Sequence, residues 1–145
     1  MKNIRQQLPV LLLIVLYVYA VTSKLGDLSE FRSQLYNQTF PHALADILLV
    51  ALPALEILTV GLLFFPRTVL TGLYFSAGLL AVFTGYILLV KLHVWARVPC
   101  SCGGILNRMS WTTHLIFNLC FLILNLFAIK GEAENLEQSR QNHFI

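Results

Sequence analysis

Two cysteines separated by a single residue lie in Val98-Pro99-Cys100-Ser101-Cys102-Gly103-Gly104, between a proline and a pair of glycines. Apolar packing gains little from such a pair, whereas thiol–disulfide exchange and soft-metal binding both use it. A disulfide across so short a span closes a small, strained ring, which puts it toward the oxidising and labile end of the scale. Pro99 restricts the residue before it and the glycines loosen the backbone after it, so either sulfur can be offered to a partner. Lys91, Arg97 and Arg108 are near in sequence and favour thiolate over thiol. The plain alternative is two unrelated small residues in a loop.

Metal chemistry needs further ligands, and His93 and His114 flank the stretch on either side. With Cys100 and Cys102 they make a Cys2His2 set for zinc, or a soft site for copper(I) or mercury(II), although the spacing follows no standard zinc pattern. A histidine near a membrane interface more often serves as a hydrogen-bonding residue than as a ligand.

Two acids stand out in an apolar stretch. Asp46 lies close enough to its start to reach water, and Glu56 follows ten residues on, roughly 15 Å deeper by helical rise. Ionisable side chains at that depth are costly and face a bundle interior or a water-filled path. Glu56 comes three residues after Pro53, which frees a backbone carbonyl. It can therefore relay a proton, meet a quinone or substrate group, or act as an acid hydrogen-bonded to Thr84 or Asn118 of another helix.

The elements that carry these groups are apolar rods. Of 145 residues, 57% are hydrophobic and 12% charged, half the charge of an ordinary soluble domain. The apolar residues come in blocks: Leu8 to Val21, Ala43 to Phe65, Thr68 to Leu92 and Trp111 to Ile129. The first block has the basic start and short apolar core of a cleaved leader, but Tyr17 and Tyr19 resemble an interfacial aromatic belt and favour a true span. Between the first two blocks, Leu25, Leu28, Phe31, Leu35 and Tyr36 recur at helical spacing opposite Lys24, Asp27, Glu30 and Arg32, the pattern of a short amphipathic helix. Ala77, Ala81 and Gly85 form one small-residue stripe for close helix approach, and Gly72 with Ser76 another. On the last block His114, Asn118 and Asn125 share an inward face as interhelical glue, with Cys120 packed inertly among Phe121, Leu122 and Phe127.

The expected fold is an all-α integral membrane protein, a bundle of four transmembrane helices with a short amphipathic helix in the first loop. Residues 1–130 form the membrane domain and 131–145 a polar tail. A net charge of +3, dispersed along the chain, argues against nucleic acid as a partner. Lysine and arginine divide equally between the two sides of such a bundle: Lys2, Arg5, Arg67, Lys130 and Arg140 against Lys24, Arg32, Lys91, Arg97 and Arg108. The positive-inside rule is thus silent. The basic start before the first span favours cytoplasmic termini, with the cysteine stretch outside.

Four short spans, an acid within Pro53-Ala54-Leu55-Glu56, and Cys100-Ser101-Cys102-Gly103-Gly104 before the last span resemble the MauE/DoxX family of redox-associated membrane proteins. The resemblance covers Leu8 to Ile129. The Gly-Gly pair departs from it, since one residue and then one glycine are expected after the second cysteine. It implies a bacterial inner-membrane protein acting in periplasmic disulfide formation beside a thioredoxin-like partner. Cys100 and Cys102 would be the exchanging pair and Glu56 the acid of the second span, with a quinone in the bundle as a conceivable electron acceptor. Two other classes compete with this redox reading. One is a heavy-metal binding or transport protein using Cys100, Cys102, His93 and His114. The other is a small structural subunit of a larger envelope complex.

Overall fold

A computed structural model describes residues 4–38, 40–94 and 110–142 of the chain. All regular structure among them is helical: α1 (Ile4–Gly26), α2 (Leu28–Tyr36), α3 (His42–Phe64), α4 (Val69–Lys91) and α5 (Trp111–Asn142). Four of these are long and apolar enough to cross a bilayer. Each of α1, α3 and α4 has 23 residues, about 35 Å by helical rise against a hydrocarbon core of about 30 Å. The chain is a multi-pass all-α bundle, as its apolar blocks imply.

The outside of the bundle is lipid-like, with Ile47, Val50, Val82 and Phe127 all exposed. The inside is small: Leu13 and Tyr17 of α1, Leu63 of α3, Leu73 and Leu80 of α4, and Ala128 of α5 form the central cluster. Lipid tails are as apolar as leucine, so helices in a bilayer are held by close packing and polar contacts rather than by hiding apolar surface. The α3–α4 hairpin shows the first device. A Cβ on Gly72 would sit 2.9 Å from the backbone carbon of Leu62 and the nitrogen of Leu63, so only glycine permits this approach. The turn is tied by the Thr68 hydroxyl, which donates to the Leu62 carbonyl at 2.9 Å. Of the two small-residue stripes, the Gly72–Ser76 pair is the packed one. Ala81 is exposed and nothing lies within 4 Å of a Cβ placed on Gly85, so beyond Ala77 the second stripe brings no helix close.

The amphipathic helix is present as α2. Asp27 caps its N-terminus, accepting from the Glu30 N–H at 3.0 Å and the Ser29 hydroxyl at 2.7 Å. These bonds hold the Asp27 carboxyl below its usual range, the Glu30 amide contributing most. Phe31 and Leu35 bury their side chains against Ala45, Phe40, Leu48, Leu49 and Leu52, so α2 lies on the start of α3. Tyr36 donates to Asp46, whose side chain stays 56% exposed and reaches water as expected. Tyr86 of α4 donates to Gln38 at 2.5 Å, which brings the α2 end of the bundle to the later part of α4. At that same end Lys91 donates to the Thr112 hydroxyl at 3.0 Å, joining the close of α4 to the opening of α5.

Two details differ from the sequence reading. The first helix extends past Val21 to Gly26, so Lys24 belongs to its last turn and not to the polar side of the loop helix. Cys120 is exposed on α5 instead of being packed inside. Helix α5 runs unbroken to Asn142, past the last apolar block, and buries Glu132.

Candidate functional site

Glu56 faces the bundle interior from α3 and is 3% exposed. An isolated carboxylate there would be very costly, and the chain supplies a cation for it. Glu56 Oε1 accepts from the Lys24 ammonium at 2.7 Å. Lys24 reaches inward from the end of α1, keeps only 11% of its side chain exposed, and also lies 3.5 Å from the Ala20 carbonyl. Its ammonium stands 5.9 Å from the centre of the Phe31 ring, so an aromatic face of α2 covers the pair on one side. Where one reading of the sequence had Glu56 hydrogen-bond Thr84 or Asn118 of another helix, its partner is Lys24. Thr84 instead donates to its own helix, at the Leu80 carbonyl.

On α5, His114 is half-buried. Two side-chain atoms are buried without a hydrogen-bond partner among the described residues: Glu56 Oε2 and His114 Nδ1.

Tyr17 begins a second polar node. Its hydroxyl donates to the Ser76 carbonyl at 3.2 Å and lies 3.0 Å from Ser76 Oγ. Asn125, fully buried on α5, closes the node. Its amide is best satisfied with the nitrogen donating to the Leu73 carbonyl at 3.0 Å and the oxygen accepting from the Ala77 N–H at 3.1 Å and the Ser76 hydroxyl at 2.6 Å. One side chain thereby clips α5 to a turn of α4 and, through Ser76, to α1. Asn118 is also buried, so the inward face read from His114, Asn118 and Asn125 is present, and Asn125 acts as glue.

Cys100 and Cys102 lie outside the described residues, as do Arg97 and Arg108. His93 is exposed just past the end of α4, with φ 54. No group of three or more His, Cys, Asp or Glu side chains suited to a metal gathers among the described residues.

Lys24 is the functional residue that sequence reasoning missed. The signal was available: Leu13, Tyr17, Val21 and Lys24 follow one another by four, four and three, a single stripe of α1. The first three are buried, so the fourth points inward with them.

Comparison with known proteins agrees with the membrane architecture. No curated protein and no solved structure matches the chain. A family model, described as methylamine utilisation protein MauE, matches residues 2–131, which include the first three spans, the first two thirds of the fourth and the cysteine pair. The match supports the MauE half of the expected resemblance. On that coverage, the chain belongs to the MauE family of membrane proteins.

Proposed function

We propose that the protein is a membrane thiol–disulfide exchanger, in which Cys100 and Cys102 trade a disulfide with a thioredoxin-like soluble partner on the outer face of a bacterial inner membrane. One thiolate attacks the partner's disulfide, breaking its S–S bond and forming a mixed disulfide, while the departing partner sulfur takes a proton. The second cysteine then attacks the mixed disulfide, closing Cys100–Cys102 and releasing the partner as a dithiol. Two electrons and two protons have moved to the partner. The same steps run backwards when the relative potentials are reversed.

The observation that carries this reading is a pair of thiols one residue apart in the segment between α4 and α5 of a MauE-family membrane bundle. The Lys91–Thr112 hydrogen bond supports it, since the chain leaves α4 and re-enters α5 at neighbouring points. So do the basic residues Lys91, Arg97 and Arg108, which favour thiolate.

The test combines labelling and trapping. In intact cells a membrane-impermeant maleimide should label Cys100 and Cys102 only after reduction, by two thiols per chain. One single Cys→Ser variant should accumulate a mixed disulfide with the partner, and the double variant none. A pair labelled only after the membrane is opened, or a double variant that maintains the partner's redox state like wild type, would overturn the proposal. Stoichiometric bound metal that disappears in the same double variant would replace it with the metal-binding reading.

A further inference from the structure

We infer that Glu56 and Lys24 form a receptor inside the bundle for one neutral hydroxyl group. Three observations meet at this point. Glu56 is 3% exposed, and among the described residues only one of its oxygens is engaged. An ionised carboxylate oxygen accepts hydrogen bonds and cannot donate, so buried Oε2 calls for a donor. Lys24 has three N–H donors, one on Glu56 Oε1 and one directed at the distant Ala20 carbonyl, which leaves one for a guest.

These groups select the guest. Glu56 and Lys24 already cancel each other's charge, so a charged guest would bring an uncompensated charge to membrane depth. A hydroxyl is neutral and does two jobs with one atom: its O–H donates to Glu56 Oε2 and its oxygen accepts from Lys24. A carbonyl could satisfy Lys24 but would leave Oε2 without a donor. An alkyl group could satisfy neither. The hydroxyl has two sources, water entering at the α2 end past Lys24 or a membrane-dissolved quinol. The site uses neither cysteine and stands whether or not the thiol chemistry proposed above is right.

The test is infrared difference spectroscopy on the full chain in phosphatidylethanolamine–phosphatidylglycerol nanodiscs. In one arm, replacing the oxygen of bulk water by its heavier isotope should shift an O–H band of a bound water. In the other, titration with a short-chain ubiquinol analogue should shift the Glu56 carboxylate band and saturate. Whichever source fills the site, its signal should vanish in Glu56→Gln. In Glu56→Asp, which keeps the charge pair but withdraws the carboxylate, it should move or need about tenfold more probe. The Cys100→Ser/Cys102→Ser double variant should give the wild-type response. If both arms are silent, or the signal survives unchanged in Glu56→Gln and Glu56→Asp, the inference is wrong.

Discussion

Replacing Lys24 by methionine isolates the buried carboxylate while keeping a side chain of similar length. At 2.7 Å and an effective dielectric of 20, the Lys24–Glu56 attraction is about 6 kcal/mol before desolvation is counted. The whole of that is not lost, because the stranded carboxyl can bind a proton. From an ordinary glutamate value near 4.3, neutralising it at pH 7 costs about 3–4 kcal/mol, which caps the destabilisation. That cap lies within the range of about 3–5 kcal/mol typical of removing one partner from a buried pair. The same variant at pH 5 should lose only about 1 kcal/mol, since the proton is then cheaper to acquire. Lys24→Met/Glu56→Leu, with neither charge, should return to within about 1 kcal/mol of wild type or exceed it. Reversible unfolding in bicelles, run as a double-mutant cycle at both pH values, measures each quantity. A Lys24→Met protein as stable as wild type at pH 7 would refute the reasoning. So would a double variant as unstable as the two single losses added together.

Two further outcomes follow from the packing and the cap. Gly72→Ala should destabilise the bundle by about 1–3 kcal/mol, because the new methyl would sit 2.9 Å from backbone atoms of α3 that cannot swing away. Gly85→Ala, with open space around it, is the control and should change little. At Asp27, the folded carboxyl is held below its usual range, so its contribution to α2 is complete above the unfolded carboxyl value and is lost as pH falls through the lowered folded one. Protection of the Glu30 amide against hydrogen exchange should therefore fall on acidification in wild type and stay flat in Asp27→Asn. A wild-type profile that is equally flat would rule out the cap as its cause.

How much of this was legible in the sequence depended on which force recorded it. Span number, α2 and its apolar face were legible, because length and helical periodicity record them directly. Asn125 was legible too, since a lone amide in an apolar block has few uses besides joining helices. The exposed Cys120 was not. Hydropathy cannot separate the lipid face of a span from its interior when both are apolar, so its apolar neighbours were no guide to burial. The Ala77–Ala81–Gly85 stripe misled for a related reason: small residues permit close approach, but only a helix placed opposite makes use of it.

The same asymmetry explains why the polar groups carry most of the information about this fold. In water, the inside of a bundle is where the apolar residues are. In lipid that distinction disappears, and the interior is marked by what lipid will not accept. Lys24 with Glu56 joins α1 to α3, and Asn125 with Ser76 and Tyr17 joins α5, α4 and α1. Between them these two nodes tie all four spans at buried polar contacts that any rotated packing would leave unsatisfied. Glu56 stays inside because Lys24 neutralises it, and Lys24 can reach it because α1 extends through Gly26 instead of ending at Val21. A few residues of extra helix thus turn what looks like a solvated loop cation into the partner of a buried acid. That places the interior charge pair on the same end of the bundle where α4 meets α5 and where the cysteine segment departs and returns.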